Sequence, residues 1–342
     1  LRIGDIIMKT AIIGFAGSGK TELFRALAGP GALGIGRAMV KVPEPRLILL
    51  AQTFKPKKVT LSEIEYQDMP GSGGAKSLGN RVLSEIRGFD CFLAVLDAYS
   101  GGVDPALQQS AIEEELIVSD MAVIEKKLEK ISHDKTKAKH LYDPKAEELL
   151  VRAMNLLEHE KPLRLQDELC AEPALRGFAF LSAKPILYAW NISESKMGKF
   201  QLPYEEKGMS HITVSAMLER EMAELDDPEE LEMFMRELGV RESALDRVIA
   251  KTYNLLNLIT FLTAGEKEVR SWALKKDSSA FDAAGTIHSD IQKGFIRAET
   301  LSWEDFLKYR DMKTAREKGV LRLEGKEYTV KDGDIITFRF NV

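Results

Sequence analysis

Only two cysteines occur in the 342 residues, Cys91 and Cys170, and they lie too far apart to form a metal-ligand pattern. A chain this poor in cysteine is not built on a disulfide framework, and a reducing, cytoplasmic setting fits it best. Cys91 falls inside an apolar run (DCFLAVLD), where packing is the expected role. Long hydrophobic stretches are missing too: none approaches the roughly 18 residues that a membrane span needs. Leu1–Ile7 is short and carries Asp5, unlike a secretory signal, so it reads as an extension ahead of a first strand at Met8. Low-complexity tracts are absent. A net charge of −5 excludes a protein that coats nucleic acid through bulk charge. That charge is uneven. Glu219–Asp246 is acidic, whereas the segment from about Leu258 is nearly neutral despite many Lys and Arg, which leaves room for a local basic face. The length calls for two or three domains.

What is present is a phosphate-binding loop, Gly14-Phe15-Ala16-Gly17-Ser18-Gly19-Lys20-Thr21, in the right surroundings. The apolar run Met8–Ile13 predicts a buried strand before it, and Glu22–Ala28 repeats apolar residues at helical spacing after it. Glycines let successive backbone N–H groups converge on phosphates, and the helix N-terminus adds partial positive charge. Gly14, Ala16, Gly17, Ser18, Gly19, Lys20, Thr21 and Glu22 are therefore the expected nucleotide contacts. Lys20 reaches the β- and γ-phosphates as the catalytic cation, and the Thr21 hydroxyl ligates Mg²⁺.

The first half of the chain alternates strand-like and helix-like segments, which predicts an α/β fold with a parallel sheet. Strands are expected at Met8–Ile13, Thr60–Gln67, Cys91–Leu96, Pro185–Trp190 and His211–Val214. Most end in Gly, an acid, Asn or Ser, at the edge where such sheets hold ligands. Met121, Ile124, Leu128 and Ile131, then a polar turn at His140–Pro144, then Leu149, Ala153 and Leu156 predict an antiparallel helical hairpin, serving either as a rigid spacer or as a partner-binding arm. His133, His140 and His159 fall in this arm and are expected to face solvent. Asp226-Asp227-Pro228 marks a helix start. From Val269 onward short strands separated by glycine suggest a small α+β domain, closing on a Lys331–Asp334 turn and the alternating strand Ile335–Val342.

Asp68-Met69-Pro70-Gly71 ends the second strand as a D-x-x-G element, in which Asp68 serves Mg²⁺ and the Gly71 N–H meets the γ-phosphate. Asn191-Ile192-Ser193-Glu194 ends a later strand where guanine-specific proteins carry N-K-x-D. Glu194 in place of Asp leans the base toward adenine, because unpaired polar groups in a base site discriminate strongly. Ser215-Ala216, ending the next strand, is the last base-contacting element.

With these motifs the chain resembles the Obg-like ATPase family, the YchF branch of the translation-factor GTPases, from about Met8 to Val342. The resemblance rests on the phosphate loop and on PEPRL (Pro43–Leu47), KPKKV (Lys55–Val59), SLGNRVLSEIR (Ser77–Arg87) and AKPILYAWNISE (Ala183–Glu194). It continues in LITFLTAGEKEVRSWALKK (Leu258–Lys276), AAGTIHSDIQKGFIRAE (Ala283–Glu299) and EGKEYTVKDGDIITFRFNV (Glu324–Val342). It implies a P-loop G domain (8–118 and 180–257) with an inserted coiled-coil arm (119–179) and a C-terminal β-grasp (TGS) domain (258–342), after the extension 1–7. It also implies ATP preferred over GTP, Mg²⁺ dependence, and association with ribosomes or RNA. His288 resembles a polar spot of the TGS region, where a packing or surface role is expected.

Three departures bear on hydrolysis. Ala16-Gly17-Ser18 replaces the family's Pro-Asn-Val, which spares the backbone cradle but not the asparagine side chain. The switch-I stretch is shortened to Gly29–Arg37 and holds no Thr or Ser, so a Mg²⁺ ligand and γ-phosphate sensor are missing from it. Ser72 follows D-x-x-G where Ras-like proteins place a water-positioning glutamine. Arg37 is a candidate to supply the missing stabilisation in cis. The leading reading is a P-loop ATPase. The alternative is a nucleotide-sensing module, binding ATP or GTP with little or no turnover. A small-molecule kinase is weaker, since no second-substrate site is discernible.

Overall fold

Two six-stranded sheets with different wiring carry the chain, as seen in a computed structural model that describes residues 7–29, 36–71, 77–137, 142–225, 227–238, 240 and 243–341. The strands are β1 (Lys9–Ile13), β2 (Arg37–Lys41), β3 (Val59–Thr60), β4 (Glu63–Asp68), β5 (Cys91–Asp97), β6 (Ile186–Asn191), β7 (Met209–Val214), β8 (Leu258–Ala264), β9 (Val269–Lys275), β10 (Phe295–Leu301), β11 (Arg322–Glu324) and β12 (Ile335–Phe340). The helices used below are α1 (Lys20–Ala28), α2 (Arg46–Phe54), α3 (Asn80–Glu85), α4 (Pro105–Lys137) and α5 (Pro144–Glu158). Two compact units result, one of residues 9–38 and 66–255, the other of 1–8, 39–65 and 256–342.

The first sheet runs β2-β4-β1-β5-β6-β7. The pairs β1–β5, β5–β6 and β6–β7 are parallel, as short strands linked through helices must be. β5 is buried along nearly its whole length because both faces of a parallel sheet are covered. One face carries Ile13, Phe92, Ala94, Leu96, Tyr188 and Trp190, packed with Val82 and Leu83 of α3 and Ile112 and Leu116 of α4. Cys91, on the opposite face of β5, is fully buried, as expected of a packing residue. Trp190 Nε1 donates to His211 Nδ1 at 3.1 Å, so that buried histidine is a structural partner.

The helical hairpin is present as α4 and α5, with Ile117, Ile124, Ile131, Leu149, Leu150, Ala153 and Leu157 forming a core of their own. α4 begins at Pro105, well before the expected 119, because its first turns pack into the sheet unit. α5 is capped by Asp143, whose carboxylate accepts from the N–H groups of Lys145 and Ala146, with Pro144 in the first turn. Toward the far end Glu147 accepts from Lys135 at 3.1 Å and from the Tyr142 hydroxyl at 2.7 Å. His140 lies outside the described residues. His133 and His159 are exposed.

The second unit's sheet runs β11-β10-β12-β8-β9-β3. It mixes antiparallel pairs (β10–β11, β10–β12, β8–β9) with parallel ones (β12–β8, β3–β9). One face packs Leu47 and Leu50 of α2 with Leu262, Leu301, Phe306 and Ile335. The other packs Phe261, Trp272 and Ile336 with Ala280, Ala283 and Ala284 of the helix Ala280–Ile287. Residues 39–65 thus group with the C-terminal unit, although the sequence reading assigned them to the G domain. The cause is physical: α2 buries its leucines there, and Arg46 reaches Asp332 at 2.7 Å. The expected strand Thr60–Gln67 divides into β3 and β4, one in each sheet. Asp227 caps the helix Pro228–Glu237 as the sequence suggested, while Asp226 lies outside the described residues.

Candidate nucleotide-binding site

The phosphate loop joins β1 to α1, and its backbone needs glycine. Gly14, Gly17 and Gly19 have φ of 142°, 81° and 95°. At Gly19 a Cβ would collide with Asn191 Nδ2, so here even a methyl group is excluded by contact as well as by conformation. Helix α1 starts at Gly19 without a side-chain cap, which leaves first-turn N–H groups for an anion.

Lys20 is buried, and its Nζ donates to the Phe15 carbonyl at 2.8 Å. Burial lowers its pKa below the ordinary lysine value, with Asp68 opposing. The Thr21 hydroxyl donates to Asp68 Oδ2 at 3.0 Å. Burial raises the Asp68 pKa, opposed by the Thr21 hydrogen bond and by the charges of Lys20 and Arg25. Asp68 Oδ1 and Ser18 Oγ are buried atoms without a hydrogen-bond partner. A Cβ placed on Gly71 would lie 3.6 Å from Lys20 Nζ and 3.9 Å from Ala16 Cα, so the D-x-x-G turn comes back against the phosphate loop. Among the described residues no group of three or more His, Cys, Asp or Glu forms a metal cage. Mg²⁺ beside phosphates needs only one or two protein oxygens, and the Thr21 hydroxyl with the unpartnered Asp68 oxygen is a donor set of that kind.

Asn191 ends β6, and its amide works in two directions. Nδ2 donates to the Ser18 carbonyl at 3.0 Å, and Oδ1 accepts from the Ala216 N–H at 3.0 Å. The structure therefore brings together the phosphate loop, Asn191 and Ser215-Ala216. Ser215 and Ala216 are buried at the start of the helix Ala216–Ala223. Glu194 is exposed in the short turn after β6. Two expected contacts are placed elsewhere. Ile192 is fully buried in the core, and its N–H is committed to the Val214 carbonyl, so its side chain is a packing group. Glu22 holds Arg25 at 3.1 Å and Arg220 at 2.8 Å. Arg37 opens β2 as an exposed residue. Residues 30–35 of the shortened switch I, and Ser72, lie outside the described residues.

Sequence reasoning missed Asp97, which ends β5 in register with Asn191. Its carboxylate accepts from the N–H groups of Tyr99 (3.1 Å) and Ser100 (2.9 Å), turning the chain at the rim of the site. The signal was there: an apolar run stopped by an acid and followed by Ser-Gly-Gly.

A parallel sheet with a glycine loop after its first strand, an uncapped helix and a facing threonine–aspartate pair defines a P-loop nucleotide-binding protein of the G-domain type. The chain belongs to the YchF family. It is 39% identical to the "Ribosome-binding ATPase YchF" of Bacillus subtilis (strain 168), over 98% of this chain and 100% of that protein. It is 38% identical to the protein of the same name from Escherichia coli O157:H7, over 98% and 99%. Residues 258–341 match the sequence family YchF-GTPase_C, described as "Protein of unknown function (DUF933)". The solved YchF GTPase of Schizosaccharomyces pombe superposes with a TM-score of 0.84 at 28% identity, covering 97% of each chain. A GTP binding protein from Pyrococcus horikoshii OT3 shares the fold, with a TM-score of 0.63 at 16% identity, over 98% of this chain and 100% of that one. The alignment with the B. subtilis protein runs over 368 positions, longer than the 342 residues here, so this chain lacks residues that its relative carries.

Proposed function

We propose that this chain is an Mg²⁺-dependent ATPase whose nucleotide state governs association with the ribosome, which would place it in the cytoplasm. The carrying observation is the Thr21–Asp68 pair at 3.0 Å beside a buried Lys20. Burial lowers the Lys20 pKa and raises that of Asp68, in each case a bias against the charged form. A triphosphate next to Lys20 and a divalent cation next to Asp68 would each reverse that bias. Gly14–Thr21 bind the phosphates through backbone N–H groups, and the Gly71 N–H meets the γ-phosphate. Mg²⁺, when bound, offsets the charge on the phosphate oxygens. Asn191 and Glu194, with Ser215 and Ala216, are the proposed base-contacting group, and Glu194 favours adenine. The ribosome as partner rests on the names of the bacterial relatives. No helix among the described residues is long and apolar enough to cross a membrane.

Phosphate release from ATP and from GTP, with and without ribosomes, tests this reading. ATP turnover stimulated by ribosomes is the expected result. Tight binding with no release under any condition would sink it and leave the second reading, a nucleotide-sensing module. That second reading is favoured by one observation, the absence of Thr or Ser from Gly29–Arg37. Arg37 is proposed to stabilise charge developing on the phosphates, and unchanged turnover in Arg37→Ala would remove it from the scheme.

A further inference from the structure

Helix α3 follows the D-x-x-G turn and lies against α4, the first helix of the arm, with Val82, Leu83 and Ile86 packed with Ile112 and Leu116. Both ends of this contact are polar and tied. At the amino end α3 has no side-chain cap of its own. Instead Glu115 of α4 accepts from the Leu78 N–H with both oxygens, at 3.0 and 2.9 Å, and from the Ser77 hydroxyl at 3.2 Å. At the other end Arg87 donates to Asp120 Oδ1 at 2.9 Å, to the Ser119 hydroxyl at 2.7 Å and to the Ser119 carbonyl at 3.2 Å. Asp120 is fully buried, and its second oxygen is taken by the Ser182 N–H (2.7 Å) and hydroxyl (2.8 Å). Lys184 completes the joint by donating to the carbonyls of Ile86, Arg87 and Phe89.

These ties sit at a particular level of α4. Ile112 and Leu116 belong to the core of the sheet unit, whereas Ile117, Ile124 and Ile131 belong to the core of the arm. Glu115 and Asp120 therefore flank the point where the helix leaves one core for the other. A helix interior is stiff along its axis, so a displacement of α3 is handed to the arm rather than absorbed locally.

We propose that Glu115 and Asp120 are positioning residues for the hydrolytic site: they clamp α3 to the arm at both ends, so that a nucleotide-dependent shift of α3 carries the arm with it. This rests on the nucleotide-binding reading above, and it gives the route by which nucleotide state reaches a surface far from the phosphates. It does not require fast turnover, since binding alone supplies the bias.

The test uses the full chain with Cys170→Ser and spin labels at Lys130→Cys and Lys199→Cys, both exposed positions. Interlabel distances are compared with Mg-ADP and with a non-hydrolysable ATP analogue, alongside nucleotide affinity and thermal unfolding. The expected result is a nucleotide-dependent shift in the reference chain that Glu115→Ala and Arg87→Ala each reduce by about half or more. kcat should fall several-fold with KM for ATP changed less than about twofold. Glu115→Gln, which keeps an acceptor oxygen, should recover most of both. Glu115 is only half-buried, so its variants remain readable where Arg87→Ala unfolds by leaving Asp120 unpaired. A full shift retained in Glu115→Ala, or none in a reference chain that binds nucleotide, overturns the clamp alone. A reference chain that binds no nucleotide overturns the underlying reading and the clamp with it.

Discussion

The two units use charge differently. At the phosphate loop Lys20 is buried and Asp68 half-buried, burial lowers the pKa of the first and raises that of the second, and Asp68 Oδ1 and Ser18 Oγ are unpartnered. In the C-terminal unit the charged groups answer one another, although Ser62 Oγ and Thr300 Oγ1 are buried there without a partner. Arg46 is held by Glu44 at 2.6 Å and Asp332 at 2.7 Å, Asp332 also accepts from the Thr260 N–H, and Asp334 accepts from the Tyr328 hydroxyl and the Lys331 N–H. Helix starts there are capped by Ser279, Ser302 and Asp311. Leaving buried polar groups unpaired is expensive, so a region that does so is shaped for something other than its own stability. The difference lies in the charged groups: the phosphate loop leaves an oxygen of Asp68 unpartnered beside Lys20, whereas those of the C-terminal unit pair with one another.

Mutation can break that contrast or sharpen it. Lys20→Ala should reduce kcat/KM for ATP by about 100-fold or more while leaving thermal stability unchanged or raised, because an unfavourably buried ammonium is removed. Phosphate release and a melting curve on the same sample check it, and a large loss of stability would blur the distinction. Asp120→Ala should destabilise by about 3–5 kcal/mol, since Arg87 and the Leu181 and Ser182 N–H groups lose their shared acceptor. Denaturant titration measures this, and it would show where the ligand-oriented unit does invest in its own fold. Leu50→Ala should lower stability by about 2–5 kcal/mol by opening a cavity against Leu262 and Phe306. Nucleotide affinity, read by titration, should stay within about twofold if the C-terminal unit is energetically its own.

The smallest effect is expected at Glu205, whose pKa the hydrogen bonds of Lys251 and Ser210 pull down to about 2 from 4.5. A depressed carboxylate contributes stability above pH 4.5 and loses it as pH falls toward about 2. Glu205→Gln should therefore be slightly less stable than the parent at neutral pH, with the difference vanishing by about pH 2. The residue is exposed, so solvent screening keeps the effect small. Paired melting curves across that range check it.

What could be read from the sequence followed the range of the interactions. The phosphate loop was legible because its chemistry is contained within one turn between a strand and a helix. β5 and β6 were legible as unbroken apolar runs. β2 was not, because in the short run Arg37–Lys41 the exposed Met39 stands between the buried Ala38 and Val40 and hides the alternation. The grouping of 39–65 with the C-terminal unit depends on Arg46 meeting Asp332, 286 positions away, which no local pattern encodes. Glu115 and Asp120 belong to no local motif, and their partners lie 37 and 33 positions upstream. Glu219 was counted in an acidic stretch, yet it is buried, accepting from the Ser243 hydroxyl at 2.6 Å and the Ala244 N–H at 2.9 Å.

The arm's far end, where Lys135 and Tyr142 converge on Glu147, fastens α4 to α5 beyond their shared apolar core. Two helices joined along their length and again near the tip resist splaying, so the pair behaves as a rod. From Asp120 to Lys137 that rod is about 25 Å long at 1.5 Å per residue. A tilt of about 5° at its base, too slight to disturb hydrogen bonds there, carries the tip through about 2 Å on that length. Under the clamp proposed above the arm would be an amplifier, turning adjustments near the phosphates into displacements that a bulky partner can register.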